Sequence, residues 1–549
     1  MRTAAALTIA TALVLSGCTS TAVAPAPRPV EGAKTGGLLR VAITTPGSLD
    51  PGNDYEPMGD LVLRTMCDPL IAADPVTGKL RSALVQSWVV SDSGQRVVLR
   101  LRKGLRFSDG SRLTADDVSY SLSRVASADF ASAAAAQLEL IDGYPQAHGD
   151  VQTDSDVDRR RLKGVRALDE QSVEITLGIR QGDFLRVLTS RLVSPTPRTK
   201  ASADSSAFAH RPVCSGPYSL DAPYRAGDRT IRVSRVAGYH GVDTTLTRFG
   251  AGYADRIEFH IYPDARAAAA AQRAGEVDIA AAAPTDRRDV QSGPGSQVEY
   301  LGFPTSTAPL FDKPAVRRAL ALALDRRALV GQVFPGTRVP ATGFLPPTTL
   351  PVFRRDACQT LPIDGDVPQA RALLAQQGVD LRGLRAPFYV NTDGHNLQLA
   401  RAVAAQWKSA LGFVAVVTPS DFEGYLARGT SPKGFDGPFR FSWSTPYPDP
   451  DGSLYPLFST ERIGRDNFSR YSNPAVDQAL VRQARESENA SDRQLEYRRV
   501  EQLLCKDLPM VPLTFSLSRY LVSSAVGSAA PTYLDRTSGQ PLLRELYLK

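Results

Sequence analysis

Five histidines, five cysteines and several pairs of neighbouring acids are the groups in this sequence that could bind a metal or carry acid–base or nucleophilic chemistry. A zinc site needs three or four convergent ligands, usually announced by spacings such as CxxC or HExxH. Neither spacing occurs, and His148, His210, His240, His260 and His395 stand far apart, so no metal site is expected. A serine nucleophile on a sharp strand-to-helix turn would show GxSxG, and a phosphate-cradling loop GxxxxGK[ST]; both are absent. Asp116 with Asp117 and Asp449 with Asp451 could share a proton in acid–base catalysis. Adjacent acids serve equally well in helix caps and turns. The expectation is a protein without a cofactor that is not an enzyme.

The cysteines are more informative. Met1 and Arg2 precede an apolar run from Thr3 to Leu15, followed by Ser16, Gly17 and Cys18. A short basic start, an apolar stretch and small residues make a secretory signal, and the run is too short to span a membrane. Leu15 to Cys18 (LSGC) resembles the bacterial lipobox, which implies cleavage after residue 17 and lipid on Cys18. One acyl chain anchors only marginally, so a stable tether implies more than one chain on that cysteine. Residues 18–37, rich in Ala, Pro, Thr and Gly, read as a flexible tether. Cys67, Cys214, Cys358 and Cys505 remain, and an even number in an exported chain favours two disulfides, with three connectivities open.

These groups must be positioned by a body that begins near Leu38. A length of 549 residues implies about three domains. With 42% hydrophobic and 22% charged residues the chain is neither mainly disordered, nor a coiled coil, nor a polytopic membrane protein. The net charge of +7 is too diffuse for a nucleic-acid binder. Arginines outnumber lysines 54 to 10, the skew of a GC-rich genome such as an actinobacterial one. Residues 38–43 read as a buried strand, and 97–102, 172–177 and 230–236 alternate apolar and polar as half-buried strands do. Thr114 to Asp117 reads as a capping box; one helix is expected over 314–330, another over 396–411, and a third opening at Ser491 and reaching Lys506. Strands and helices alternate through the second half, which indicates α/β architecture.

Several stretches in order resemble the extracellular solute-binding proteins of family 5, the oligopeptide and dipeptide class serving ABC importers. Gly37 to Ala42 (GLLRVA) and Ser48 to Pro51 (SLDP) resemble its opening strand and turn. Cys67 to Leu70 (CDPL), Asp74 to Gly78 (DPVTG), Leu84 to Trp88 (LVQSW) and Leu99 to Gly104 (LRLRKG) continue the match. Phe107 to Gly110 (FSDG) with Thr114 to Val118 (TADDV) is similar to the family signature. Ser215 to Tyr218 (SGPY), Ala274 to Ile279 (AGEVDI), Val316 to Leu320 (VRRAL) with Asp325 and Arg326, and Tyr471 to Pro474 (YSNP) complete the series.

The resemblance implies a two-lobed, periplasmic-binding-protein-like α/β fold with a hinge between the lobes and an extra domain in the first. Transferred to this chain, the base domain takes 38–66, 191–299 and 505–549, the extra domain 67–190, and the second lobe 300–504. It implies a monomeric, lipid-anchored protein at the extracytoplasmic face of the cell membrane. There it would close on a peptide or peptide-like solute and deliver it to the permease of an ABC importer. A non-peptide solute such as an oligosaccharide, or a sensing role without transport, is the alternative. The implied ligand residues are Tyr55, Glu56, Pro57 and Met58 in the first lobe, then Phe303, and Arg440, Phe441, Ser442, Trp443, Ser444, Thr445, Pro446, Tyr447 and Asp449 in the second. The competing reading of Trp443 is core packing, and of Tyr55 and Tyr447 surface aromatics. Peptide binders of the family pair the backbone near that tryptophan with the ligand and place an aspartate against its α-ammonium. Pro446 stands at the aspartate's position here, so either Asp449 or Glu56 supplies the charge or the ligand lacks a free amine. The unusual placing of Cys67 and Cys214 beside family elements suggests that they pair, leaving Cys358 with Cys505.

Overall fold

The computed structural model describes residues 33–549, except 54–55, 92–93, 133, 150–160, 203, 240–251 and 488. The expected signal segment, Cys18, the first part of the expected tether, Tyr55 and His240 lie outside the described residues. The apolar run Leu38–Ile43 forms a strand whose residues are mostly buried, hydrogen-bonded in parallel to Arg256–Ile261. That pair belongs to a large mixed sheet. Three neighbouring strands of that sheet matter most here: the long β1 (Val290–Gly302) and β3 (Met510–Val522), and the shorter β2 (Phe439–Ser444). β1 lies antiparallel between β2 and β3. Its register against β3 slips between Pro294 and Val298. An irregularity of this kind interrupts the ladder and bends the strand.

The slip falls where one hydrophobic core gives way to another. On one side, Leu39, Val41, Phe259 and Tyr218 pack with Tyr520 and Val522 as the base of the first lobe. On the other, the second lobe is centred on Trp407, whose indole N–H donates to the Leu320 carbonyl at 2.9 Å. Phe388 and Phe413 lie around that ring at centroid distances of 5.6 and 5.7 Å. This core takes in Val298 and runs on to Phe515, beyond the expected limits of 300 and 504. The reason is that β1 and β3 run unbroken through both halves, so the change of lobe falls inside strands. A third core, built on Leu99, Val118, Leu122 and Phe184, belongs to a four-stranded antiparallel sheet.

Local signals set most helix ends. α1 (Pro57–Met66) starts on a proline, whose missing N–H costs nothing at the first helical position. At Ala115–Ala126, Asp117 Oδ2 accepts from the Thr114 backbone N–H at 2.9 Å and from its hydroxyl at 3.0 Å. The helix expected over 314–330 is two: α2 (Pro314–Leu322) and Arg326–Val333. Asp325 ends the first path by capping the second, accepting from the Ala328 N–H at 2.8 Å. α3 (Ala490–Asp507) is capped by Asn489 and not by Ser491.

Cys67 is bonded to Cys214 and Cys358 to Cys505, with Cα separations of 4.8 and 5.3 Å. The first bridge joins the end of α1 to the SGPY turn. Gly216 in that turn approaches so closely that a Cβ there would lie 2.4 Å from the Met66 carbonyl oxygen. In the chain-entropy picture each bridge contributes about 2–4 kcal/mol by restricting the unfolded chain.

Candidate functional site

A cavity of about 360 Å³ lies between the lobes. Its first-lobe wall is α1, through Pro57, Asp60 and Arg64, together with Asp68, Ser190, Arg191 and the carboxyl-terminal stretch from Asp535 to Glu545. Its second-lobe wall is Ser296 and the run Ser444 to Pro448. That volume falls in the range of small-molecule sites.

The charges in the wall are already matched. Asp60 and Arg64, one turn apart on α1, pair at 2.8 Å, and Arg191 joins the same carboxylate. Arg64 also reaches Asp535 at 3.3 Å, and Asp535 accepts from the Thr537 N–H at 2.8 Å and its hydroxyl at 2.7 Å. Arg544 pairs with Asp68 at 2.5 Å, and Asp68 takes a further hydrogen bond from Tyr239 at 2.7 Å. Burial, with Asp68 adding to it, raises the Tyr239 phenol well above its ordinary range, so it stays a donor. Asp60, Asp68 and Asp535 thus each hold an arginine before any ligand arrives.

Behind the cavity the extra domain meets the second lobe through a buried set of charges. Arg186 pairs with Asp449 at 3.0 Å and donates to the Pro448 carbonyl at 3.4 Å. Asp183 pairs with Arg493, and Arg485 lies 3.0 Å from Asp451. Gln181 bridges the last pair, donating to Asp451 at 3.2 Å and accepting from Arg485 at 3.1 Å. The Gly182 N–H donates across the interface to the Arg485 carbonyl at 2.8 Å. Three carboxylates face three guanidiniums. Burial pushes the Asp183 and Asp449 carboxyls up, and for Asp449 the neighbouring Asp183 adds to the shift. Buried charges persist only when paired in this way.

Of the expected ligand residues, Pro57, Ser444, Thr445, Pro446 and Tyr447 line the cavity. Tyr447 also plugs its ring into the core of the extra domain and donates to Asp451 at 3.2 Å. Burial first, then Asp451, raises its phenol well above the usual range. The others depart from expectation. Phe303 is fully buried, stacked 5.9 Å from Phe311 in the second-lobe core, because it follows β1 inward. Arg440 is spent on Glu299, a completely buried carboxylate on the facing strand, and holds it through two nitrogens. Asp449 is committed to Arg186 and to the Asp451 N–H at 2.9 Å, so it offers no free charge to a ligand. Phe441 is buried, and Trp443 is half-buried, packing on Phe441 and donating its indole N–H to the Gly452 carbonyl at 2.8 Å. Ser442 is half-buried, Glu56 is exposed at the start of α1, and Met58 packs on the base core; none lines the cavity.

Sequence reasoning missed Asp60, Arg64, Arg191, Asp535 and Arg544. The Asp60–Arg64 spacing was a readable helix ion pair, but nothing local marks Arg191 or Arg544, which arrive from distant segments.

One further feature is a backbone edge. β2 pairs with β1 along its length, whereas Arg385–Asn391 pairs with β2 only at Phe439. The Arg440 carbonyl accepts from the Tyr425 hydroxyl, which shows that it faces away from β1. By strand alternation the polar backbone groups of Ser442 and Ser444 face the same way, and among the described residues no strand pairs with them. This unpaired stretch leads into the cavity at Ser444.

The sequence model described as "Bacterial extracellular solute-binding proteins, family 5 Middle" matches residues 79–465. The chain is 26% identical over 484 residues to the glutathione-binding protein GsiB of Shigella flexneri, covering 85% of this chain and 86% of that one. It is 27% identical over 523 residues to the probable deoxycholate-binding periplasmic protein YgiS of Escherichia coli strain K12, covering 92% of each. Among solved structures it is similar to the clavulanic acid biosynthesis oligopeptide binding protein 2, with a TM-score of 0.79, 24% identity and coverage of 94% and 96%.

Proposed function

The chain belongs to the bacterial extracellular solute-binding proteins of family 5, and from that premise we propose that it binds a peptide-like solute between its lobes chiefly through backbone pairing. It then hands the solute to the permease of an ABC importer. The observation that carries this reading is the unpaired edge of β2 opening into the interlobe cavity at Ser444. An extended ligand laid there gains main-chain hydrogen bonds without any demand on its termini. Pro446 supplies no charge, Asp449 is held by Arg186, and the cavity's own aspartates are already paired. A terminal ammonium would have to compete with an arginine already in place.

Closure follows from differential affinity: a ligand touched by both walls stabilises the state in which the walls meet. In this reading the moving units are the two lobes, the first made of the base and extra domains, hinged where β1 and β3 cross between them. The chain works as a monomer tethered to the extracytoplasmic face of the membrane by lipid on Cys18.

The experiment compares an extended tetrapeptide pool with its amino-terminally acetylated counterpart by native mass spectrometry and calorimetry on the purified protein. Equal affinity within about threefold is expected; loss of binding on acetylation would overturn the backbone-centred reading. One observation favours a second reading: with Asp60, Asp68, Asp535 and Asp449 each holding an arginine, the solute need not be a peptide at all. A co-purified non-peptide mass, with no peptide bound, would establish that alternative.

A further inference from the structure

A second cavity, of about 440 Å³, shares no lining residue with the interlobe cavity. Four cations line it: Arg318 from α2, Arg354 from the loop after the first helix pair, and Arg498 and Lys506 from α3. Two acids share the wall, and they leave three of the four cations unbalanced. Asp356 is taken by Arg354, which contacts both its oxygens at 3.2 Å. Glu501 is buried, and its carboxylate accepts from the Phe344 and Leu345 backbone N–H groups at 2.7 and 3.1 Å. Among the described residues Arg318, Arg498 and Lys506 have no carboxylate partner. Arg318 gives one hydrogen bond to the Thr360 carbonyl at 2.9 Å, and Arg498 one to the Pro351 carbonyl at 3.5 Å. A guanidinium carries five N–H donors, so most of this capacity is unused. Arg498 Nε is buried with no acceptor, a donor a folded protein ordinarily satisfies.

The walls are fixed in place. Cys358 and Cys505 join the loop carrying Arg354 and Asp356 to the turn of α3 that carries Lys506. Arg498 and Lys506 stand eight residues apart on α3, about 12 Å along the axis, with Gln502 between them on the same wall. The spacing suits an anion with more than one charged group, and planar guanidiniums suit phosphate oxygens.

We propose that this cavity is a binding site for a phosphate-bearing anion, separate from the solute cavity and independent of the function proposed above. The phosphate could belong to a soluble phosphorylated compound or to the headgroup of an anionic lipid. The probes are inorganic pyrophosphate, measured by calorimetry, and phosphatidylglycerol vesicles, measured by co-sedimentation, at fixed ionic strength. The test variant is Arg318→Ala with Arg498→Ala. A matched variant, Arg401→Ala with Lys408→Ala, removes the same charge from exposed positions on the helix Asn396–Leu411. Pyrophosphate binding weakened at least tenfold in the first variant and less than twofold in the second supports the site with a soluble ligand. Vesicle binding that depends on the same two arginines, without pyrophosphate binding, supports the site with a lipid headgroup. No binding of either probe, or equal losses in both variants, or binding indifferent to Arg318 and Arg498, overturns the proposal. Should the alanine pair fail to fold, Arg318→Gln with Arg498→Gln removes the charge while keeping a donor for each carbonyl, and the same outcomes apply.

Discussion

A carboxylate or guanidinium in this protein is defined by its partner more than by its type. Glu501 shows the consequence most clearly. Burial raises its carboxyl to about 7, with the Phe344 and Leu345 N–H groups pulling the other way. In the unfolded chain a glutamate titrates near 4.3. The folded protein therefore holds a proton that the unfolded chain releases. The stability this contributes is complete below about pH 4 and is lost as pH rises through about 7. The loss amounts to roughly 4 kcal/mol at one proton's slope. Glu501→Gln, which keeps an acceptor for both N–H groups, is expected to flatten that decline and to be the more stable protein at pH 8. Denaturant unfolding across pH 5–8 checks this; a decline of unchanged slope in the variant would remove Glu501 as its source. Arg186 and Asp449 offer a second test at this scale. Removing either alone leaves a buried charge without its partner, at a cost of about 3–5 kcal/mol. A double-mutant cycle of Arg186→Ala and Asp449→Ala should return a coupling of about 1–3 kcal/mol. Additive losses would show that the 3.0 Å pair does not hold the interface.

At the scale of elements, legibility tracked how local the cause was. The strand Leu38–Ile43 is an apolar run and was readable as such. The start at Thr114 was readable because two residues three positions apart, Thr114 and Asp117, decide it. The single helix expected from Pro314 onward became two because Asp325 caps a new turn, a choice that apolar spacing does not reveal. β2 entered only through the family resemblance, and its unpaired edge was not legible at all. That edge exists because Arg385–Asn391 diverges from it after Phe439, which depends on how two strands far apart in the chain are tilted. The interface of the lobes hinges on a comparable detail. A Cβ at Gly182 would lie 2.1 Å from the Ser487 carbonyl oxygen on the opposing lobe. Gly182→Ala is expected to leave unfolding stability nearly unchanged if the lobes separate to relieve the clash. Solute affinity should then fall at least tenfold, and small-angle scattering should report a larger radius in the presence of solute. Unchanged affinity and radius would mean that Ser487 gives way instead.

For the molecule as a whole, order along the sequence and arrangement in space answered different questions. Taken alone, the chain determined that it is an α/β protein of several domains, with no motif for phosphate, zinc or a serine nucleophile, and with an ordered series of segments of the solute-binding family. Those properties reside in runs of a few residues, where spacing and propensity act directly. Only the tertiary structure decided which groups remain available to a ligand. Arg440 is neutralised by Glu299 across 141 positions, Asp449 by a residue of the extra domain, and Phe303 is withdrawn into a core. Meanwhile Asp60, Arg191, and Asp535 with Arg544 come together from three separate segments around one cavity. Pairing and burial are properties of neighbours in space, and a buried charge finds its partner wherever the fold brings one.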